Sequence, residues 1–188
     1  MSQKQPFTPA DIAIIRAALT RRASDRDTAL FEVAISSGLR ASDLVTLRVA
    51  DVVGGQDRIR MTGTKRQQKT GKVVSFNLSD AARVALSPVV DGKASDAYVF
   101  EGKQSGEHVS DQTFRALCKW MADDVLGKDR NDYAAHSTRR TLGTHIYKQT
   151  GDVATVARLL GHTNTGATLA YLGVTTDDAL ATARKLAL

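Results

Sequence analysis

The sequence has little of several residue types that mark specialised classes of protein. It contains one cysteine, three prolines and only 5% aromatic residues among 188 positions. The single Cys118 cannot form an internal disulfide or a cysteine-rich zinc site, which favours a reducing, cytosolic environment. No run approaches the roughly 20 apolar residues that span a bilayer, and the N-terminus lacks the pattern of a signal peptide. We therefore expect a cytoplasmic protein with no membrane partner.

The remaining composition is typical of a folded domain with a mild excess of positive charge. Hydrophobic residues make up 42% and charged residues 24%, which argues against a disordered or fibrous chain. A length of 188 residues suits one domain with a hydrophobic core. Lys and Arg number 26 against 20 Asp and Glu, so the formal net charge is +6. This excess suggests a polyanionic partner such as nucleic acid but does not establish one.

Helix-start signals recur along the chain. Thr8 and Pro9 predict the first helix, because Thr is a good N-cap and Pro suits the first helical position. Apolar spacing predicts a second helix from about Asp27 to Ile35 and a third that starts at Ser42. The chain from His136 onward is predicted to be helical throughout. Further capping and stop residues are Ser79, Ser110, Gly151, Asp152 and Gly161.

A β-rich stretch interrupts these helices. Alternation over Arg58–Thr62 and the apolar run within Lys72–Leu78 predict two or three short antiparallel strands, with basic side chains at their connections. Ala97–Phe100 is predicted to form a further short strand. The sequence therefore predicts one mainly helical α+β domain with a small antiparallel sheet.

Four separated patches contain residue types suited to phosphate chemistry. They are Ser37–Leu44 (SGLRASDL), the basic stretch Thr64–Lys72 (TKRQQKTGK), His136–Arg139 (HSTR), and Leu159–His162 (LLGH) followed nine residues later by Tyr171. Taken singly, each pattern is more often a helix boundary, a solvated charged face or core packing. These ordinary explanations do not account for the order and spacing of the four patches together.

This order and spacing resemble the catalytic domain of the tyrosine recombinases, the phage-integrase family. The pattern of that family is an Arg in a GLR-type box, a hairpin Lys, H-x-x-R, an LGH element and then a Tyr. The resemblance extends over nearly the whole chain, so residues 1–188 are interpreted as one such catalytic domain. It implies the mainly helical α+β fold and a site-specific DNA recombinase that cleaves and rejoins strands through a 3′-phosphotyrosine intermediate.

The resemblance assigns the central roles to three residues. Arg40 and Arg139 match the pair that binds the scissile phosphate, and guanidinium forks suit phosphate oxygens and offset the extra charge of the transition state. Tyr171 matches the nucleophile. A phenol with a pKa near 10 is about 3 pH units from its reactive form at neutral pH, a deficit of roughly 4 kcal/mol. Nearby cations and a base offset that deficit.

Further roles follow from the same resemblance. His136 matches a position with general-base or supporting duty, and His162 matches one that hydrogen-bonds the phosphate. Asp43 matches a frequently acidic position that supports the site. Lys69 matches the hairpin lysine that protonates the departing 5′-hydroxyl, because QKTGKVVSF resembles the KTGK-type turn of the family. Lys65 is the reserve choice for that role, and the two lysines remain alternatives.

DNA contacts are expected from the remaining basic residues of these patches. Lys65, Arg66 and Lys72 lie in the predicted hairpin, and Arg140 is one step outside the H-x-x-R register, where it contacts the DNA backbone or packs. No carboxylate cluster suited to two metal ions lies near the motifs. The resemblance therefore implies metal-free chemistry with no cofactor. The competing phenols Tyr133 and Tyr147, together with Cys118 and Trp120, are predicted to pack in the core.

The chain departs from the family pattern in one respect. Most members place a separate DNA-binding domain before the catalytic one, whereas here the catalytic pattern begins almost at Met1. We therefore expect the N-terminal core-binding domain to be absent, in either a minimal recombinase or an excised catalytic half. Thr175–Leu188 is predicted to be an amphipathic helix that packs on its own domain or on a neighbouring protomer. The resemblance implies a homotetramer on paired sites in double-stranded DNA, and admits accessory DNA-bending proteins.

Two other functions fit parts of the same pattern. A type IB topoisomerase shares the Arg-Lys-Arg-His-Tyr set, although the LLGH-to-Tyr171 spacing and the GLRASDL box favour a recombinase. A non-catalytic DNA-binding regulator of the same fold is the second alternative, and the presence of every catalytic residue type argues against it. No motif specifies the target sequence, or distinguishes integration from excision, inversion or resolution.

Overall fold

Helices are the main elements of the structure, a computed structural model that describes residues 3–55, 58–104, 106–162, 164–174, 180 and 184. The chain divides into two compact units, Met1–Leu142 and Gly143–Leu188. The described helices are α1 (Pro9–Arg22), α2 (Asp25–Ser37), α3 (Ala41–Val45), α4 (Val49–Val52), α5 (Asp80–Val90), α6 (Asp111–Trp120), α7 (Ala135–Thr150), α8 (Val153–Leu160) and α9 (Thr165–Leu172). A π-helical turn, Met121–Val125, continues α6.

The sheet of the first unit is a single hairpin. Strands β1 (Thr62–Arg66) and β2 (Val73–Asn77) pair antiparallel, with Thr62 opposite Asn77 and Arg66 opposite Val73. The connection between them closes tightly, because Gln67 donates its N–H to the carbonyl of Lys72 at 2.8 Å. The hairpin therefore presents a short basic connection at one end.

Helix α2 is the centre of the first unit. It is buried along most of its length and packs against α3 and α5. Phe31 of α2, Phe100 and Phe114 are among the largest fully buried side chains. Burial of one such side chain stabilises a fold by roughly 1.5–3 kcal/mol, so Phe31 holds α2 in this core. The C-terminal end of α2 leads directly into the GLR-type box.

Local capping explains where the helices begin. The Thr8 hydroxyl accepts from the N–H of Asp11 at 3.2 Å, and the Asp11 carboxylate accepts from the N–H of Thr8 at 2.9 Å. Side chains at Ser79, Ser110 and Asp152 cap α5, α6 and α8 in the same manner. These starts confirm the capping signals in the sequence. Helices α2 and α3 begin slightly earlier than predicted, at Asp25 and Ala41.

The predicted strands were only partly right. The pairing of β1 with β2 begins at Thr62, not at Arg58, because Ile59 instead forms an isolated antiparallel bridge with Val53, and Arg60 donates its N–H to the carbonyl of Val52. Ala97–Phe100 forms an isolated bridge between Tyr98 and Arg48 rather than a strand. No third strand occurs in the part of the chain that the structure describes.

Two further predictions concern burial and the C-terminus. Cys118 is fully buried and Tyr133 is 7% exposed, so both pack in the core as predicted, while Trp120 and Tyr147 are only half-buried. Of the predicted helix over Thr175–Leu188, all but positions 180 and 184 lie outside the described residues. None of the helices within the described ranges is both long and apolar enough to cross a membrane.

Candidate active site

The GLR-type box forms the turn between α2 and α3. Gly38 follows the last residue of α2, and its φ of 62° lies in the left-handed region that favours glycine. Arg40 immediately precedes α3, and its carbonyl accepts from the N–H of Leu44 at 2.8 Å. The Arg40 side chain is 27% exposed. The turn thus holds a partly accessible guanidinium on a short, fixed backbone.

Arg139 is attached to this same turn. It lies one helical turn after His136 on α7, and its Nη1 donates to the carbonyl oxygen of Gly38 at 2.6 Å. Arg139 is only 3% exposed. Because Gly38 is two residues before Arg40, the two arginines share one backbone support.

Arg40, His136 and Arg139 line one cavity of about 1210 Å³ in the first unit. Helix α6 forms part of its wall, with Phe114, Leu117 and Cys118 turned into the core and the opposite face turned to the cavity. The basic residues of the lining are Lys4, Arg40, Arg115, Lys119, Arg130 and Arg139, and the acidic ones are Asp111 and Asp124. The cavity is therefore strongly basic and suits an anion larger than a single phosphate.

Asp43 lies on α3, three residues after Arg40, and is fully buried. Its Oδ1 accepts from the N–H of Gln68 at 2.9 Å, while its Oδ2 lies 3.9 Å from Arg40 Nη1. The second distance is an ion pair that is too long for a hydrogen bond. Asp43 consequently contacts both the GLR-type box and the connection of the hairpin.

The hairpin lysines occupy different environments. Lys65 Nζ lies 3.2 Å from Asp51 Oδ2 and also donates to the carbonyl of Thr46, and its side chain is 11% exposed. Lys69 and Lys72 are exposed in and beside the turn. Arg66 donates from Nη1 to the carbonyl of Gly71 at 2.8 Å, within its own hairpin. Lys69 is the more accessible of the two candidates for the general acid.

Arg140, predicted to contact the DNA backbone or to pack, is 6% exposed. Little of its side chain is therefore available at a surface, which favours the packing alternative.

Cys118 is not a candidate nucleophile, because burial raises the pKa of its thiol far above the ordinary range. In the described ranges, no three His, Cys, Asp or Glu residues lie close enough together to hold a metal ion.

The second unit brings His162 and Tyr171 together. Gly161 follows α8 in the left-handed conformation, and His162 donates its N–H to the carbonyl of Ala157 at 2.9 Å. The rings of His162 and Tyr171 are 5.1 Å apart between centroids and nearly perpendicular, at 80°. His162 Nδ1 also lies 3.0 Å from Thr168 Oγ1, one turn before Tyr171 on α9.

A glycine on α7 makes room for this pair. A Cβ placed on Gly143 would lie 3.2 Å from Leu160 Cδ1 and 3.6 Å from Tyr171 Cε1. The bare backbone of α7 therefore lets α8 and α9 approach closely within the second unit. The half-buried Tyr171 ring packs over this glycine and against His162.

Comparison with known proteins places these motifs in one family. The model of the phage integrase family matches residues 7–177. The chain belongs to the phage integrase family. This result confirms the resemblance based on the GLR-type box, H-x-x-R, LGH and Tyr171. Arg40, Arg139, His162 and Tyr171 all lie within the matched range.

Individual relatives agree with the family assignment. The chain is 28% identical over 153 residues to a probable integrase/recombinase, YoeC, of Bacillus subtilis (strain 168), covering 81% of this chain and 80% of that protein. It is 29% identical over 155 residues to tyrosine recombinase XerD of Proteus mirabilis, covering 81% of this chain and 49% of the relative. The chain thus spans about half the length of the XerD relative.

Solved structures of the family share the fold. A crystal structure of XerA recombinase matches with a TM-score of 0.77 at 17% identity, covering 100% of this chain and 67% of that one. A post-cleavage complex of XerH recombinase with palindromic difH substrate matches with a TM-score of 0.74 at 14% identity, covering 97% and 53%. These likenesses confirm a mainly helical α+β fold with a small antiparallel sheet.

The structure adds contacts that the family motifs do not include. They are the Thr168 hydroxyl beside His162, the Gly38 carbonyl that binds Arg139 and the Gln68 N–H that binds Asp43, and no spacing in the sequence reveals them. Arg115 and Lys119 were also missed. Their spacing of four residues on an amphipathic helix was a detectable signal, because it places both on the face opposite the core.

Proposed function

We propose that this chain is the catalytic domain of a site-specific DNA recombinase that cleaves and rejoins DNA strands through a 3′-phosphotyrosine link to Tyr171. The observation that carries the proposal is the attachment of Arg139 to Gly38, in a basic cavity also lined by Arg40. Family membership and the edge-to-face packing of Tyr171 with His162 support it.

The arginine pair suits the charge of the reaction. A phosphodiester anion gains negative charge at its non-bridging oxygens as the nucleophile attacks. Arg40 and Arg139 would donate hydrogen bonds to those oxygens from a backbone that is already folded, so little reorganisation accompanies the reaction. His136, at the first turn of α7 and on the same cavity, would accept the phenol proton or support the phosphate.

The covalent step exchanges one phosphoester for another. Tyr171 Oη would form a bond to phosphorus as the bond from phosphorus to the 5′-oxygen breaks, and the phenol proton would pass to a base such as His136. A hairpin lysine would protonate the departing oxygen. The 5′-hydroxyl of another strand reverses these events and releases Tyr171. Because the bond energy is conserved in the intermediate, the exchange balances without a nucleotide cofactor.

The accessible Lys69 is the first candidate for the general acid. Lys65 would have to leave both Asp51 and the Thr46 carbonyl before it could serve. Lys65, in β1, is therefore assigned a structural role, and Lys69, in the exposed turn, is assigned the role of the general acid. The two assignments predict different cleavage rates, because a bridging 5′-sulfur should rescue Lys69→Ala if Lys69 is the general acid and Lys65→Ala if Lys65 is.

Double-stranded DNA is the proposed partner. The basic cavity continues from Arg40 and Arg139 to Arg115 and Lys119 on α6, so a strand whose scissile phosphate lies at the arginine pair would meet further cations along its backbone. Assembly as a homotetramer on paired sites, with accessory DNA-bending proteins and a cytoplasmic, DNA-associated location, completes the proposal.

A nicked suicide duplex tests the proposed reaction directly. Cleavage of a duplex that carries the cognate site, with a nick beside the scissile phosphate, releases a short fragment and traps the covalent adduct. The wild-type chain should form an adduct that survives denaturing electrophoresis, whereas Tyr171→Phe should bind the duplex and form none. Tyr147→Phe, a half-buried tyrosine on α7, is the matched control and should retain the adduct.

The same assay separates the alternatives. An adduct formed by Tyr171→Phe would refute the nucleophile assignment. Relaxation of supercoiled plasmid on arbitrary DNA, without paired sites, would favour a type IB topoisomerase. Site-specific binding with no adduct from the wild-type chain would favour a non-catalytic regulator.

A further inference from the structure

A buried carboxylate joins the two parts of the first unit that hold Arg40 and the hairpin lysines. Asp43, on α3, has 0% exposure. Its closer contact is with the hairpin, since the N–H of Gln68 donates to Oδ1 at 2.9 Å, whereas Arg40 Nη1 lies 3.9 Å from Oδ2. Only the first distance is a hydrogen bond. The family pattern places an acid near Arg40, but the stronger contact of Asp43 is with the N–H of Gln68.

Thr46, just after α3, reinforces this attachment. Its hydroxyl donates to the carbonyl of Ser42 at 2.7 Å and lies 3.5 Å from Gln68 Nε2. Its carbonyl accepts from Lys65 Nζ. The hairpin is therefore joined to residues Asp43 and Thr46 by three contacts, two from Gln68 and one from Lys65. The Asp43 carboxylate is the only charged group in these contacts that is fully buried.

The chemistry of Asp43 indicates what it is for. Burial of a carboxylate is unfavourable unless hydrogen bonds compensate it, and an apolar residue would fill the same space at lower cost. An acid at this place is explained by the donor that it binds. That donor is a backbone N–H in the residue immediately before Lys69.

We propose that Asp43 is a positioning residue that holds the hairpin lysine at the leaving 5′-oxygen while Arg40 holds the phosphate. The inference rests on the proposed function. Asp43 would touch neither the substrate nor the reacting atoms, and would act through the Gln68 N–H. Its loss should therefore slow protonation of the leaving group without removing the arginine pair.

The rate of cleavage with a changed leaving group distinguishes a role in leaving-group protonation from a general structural role. A 5′-thiolate departs without protonation, because a thiol is a much stronger acid than an alcohol. A substrate with sulfur in place of the bridging 5′-oxygen therefore bypasses any defect in the general acid. A defect in phosphate binding or in folding would persist with both substrates.

A matched pair of variants at Gln68 isolates the hydrogen bond. Gln68→Ala removes the side chain but keeps the N–H, whereas Gln68→Pro removes the donor and leaves Asp43 in place. Gln68 is the second residue of a five-residue turn closed by the Gly71 N–H on the Gln67 carbonyl at 2.9 Å, and the N–H that proline lacks is the one that Asp43 accepts. Gln67 directly follows Arg66, the last residue of β1, and it is not in a helix, the conformation that a following proline disfavours.

The experiment measures single-turnover cleavage of the cognate duplex by the full chain, with oxygen or sulfur at the bridging position. Gln68→Pro should cleave the oxygen substrate about 10- to 100-fold more slowly than Gln68→Ala, the factor expected for a hydrogen bond to a charged group. On the sulfur substrate the two variants should agree within about threefold. Asp43→Asn keeps an acceptor and should resemble Gln68→Ala, while Asp43→Leu should resemble Gln68→Pro.

Other outcomes would overturn the inference. Equal rates for Gln68→Pro and Gln68→Ala on oxygen would show that the hydrogen bond does not matter. A deficit of Gln68→Pro that persists on sulfur would place its effect outside leaving-group protonation. If sulfur restores neither Lys69→Ala nor Lys65→Ala, the general-acid role fails and the role of Asp43 fails with it. Absence of any adduct from the wild-type chain is the separate failure of the proposed function.

Discussion

Arg139 Nη1 donates to the carbonyl oxygen of Gly38 at 2.6 Å, across 101 positions of sequence. The second arginine of the site is thereby attached to the turn that presents the first. Two guanidinium groups of like charge repel each other, and a shared backbone acceptor helps to hold them in place before any phosphate arrives. The relationship predicts that small changes to the turn will affect both arginines.

Gly38→Ala should reduce cleavage and stability together. The φ of 62° disfavours alanine by about 1 kcal/mol, and relief of that strain would move the carbonyl that Arg139 binds. We expect cleavage to fall by at least about tenfold, since small displacements in a reacting site are costly. Chemical denaturation and single-turnover cleavage measure the two effects.

Gly92→Ala is the matched control for this prediction. Gly92 has a φ of 68°, and a Cβ added to it would meet nothing within 4 Å. It should lose a similar amount of stability while cleavage stays at the wild-type rate. If Gly92→Ala impairs cleavage as strongly as Gly38→Ala, the loss reflects stability alone and not the support of the arginines.

Arg115→Gln and Lys119→Gln should weaken DNA binding through the loss of phosphate contacts. Each substitution removes one cation from the cavity, so the slope of the logarithm of the binding constant against the logarithm of salt concentration should fall by about 1. Arg21→Gln is the matched control, since Arg21 is exposed at the end of α1 and does not line the cavity. Unchanged slopes in both cavity variants would show that α6 does not contact the DNA backbone.

Lys69→Ala should slow cleavage of the oxygen substrate, and a bridging 5′-sulfur should restore the rate. General acid catalysis typically contributes about 10²- to 10⁴-fold, so the defect and its rescue should both be large. Lys65→Ala should instead lower stability, because Lys65 binds Asp51 and the carbonyl of Thr46. Rescue by sulfur of Lys65→Ala, and not of Lys69→Ala, would transfer the role to Lys65.

Asp11 provides a pH-dependent test of the scaffold. Burial favours its neutral form, yet the hydrogen bonds from Lys128 at 2.6 Å and from Thr8 hold the pKa of its carboxyl below the ordinary value of 3.8. A depressed pKa in the folded state adds stability above the unfolded-state pKa. That stability is lost as the pH falls through the folded-state value.

Asp11→Asn should therefore be less stable than the wild type at neutral pH, by about 1–3 kcal/mol. The difference should shrink as the pH falls below about 3.8, which urea denaturation at a series of pH values would measure. Asp25→Asn, an exposed acid in the first turn of α2, is the matched control and should show little change. A constant deficit of Asp11→Asn at every pH would contradict the contribution of its charge.

The parts of the fold that depend on neighbouring residues were predictable from sequence. Thr8, Ser79, Ser110 and Asp152 each cap a helix because the side chain reaches an N–H two or three residues away. The first strand was misplaced because alternation over residues 58–62 cannot reveal that Arg60 pairs with Val52 across a turn.

The candidate site shows the same difference between local features, which the sequence predicts, and contacts between distant residues, which it does not. The motifs identified Arg40, Arg139, His162 and Tyr171 as candidates, since residue type and spacing are local properties. The bond from Gln68 to Asp43 joins residues 25 positions apart and uses a backbone N–H that every residue except proline has. Nothing in the identity of Gln68 distinguishes it, so only the folded chain reveals the contact.

The N-terminal segment has a practical consequence for work on this protein. Gln5 donates its N–H to the carbonyl of Asp132 at 2.8 Å, Phe7 donates to Thr141 Oγ1 at 2.9 Å, and Lys4 lines the basic cavity. A purification tag or fluorescent label joined ahead of Gln3 would emerge at the rim of the cavity that is proposed to hold DNA. Such a fusion would compete with the substrate for space, so binding measurements require its removal by a protease.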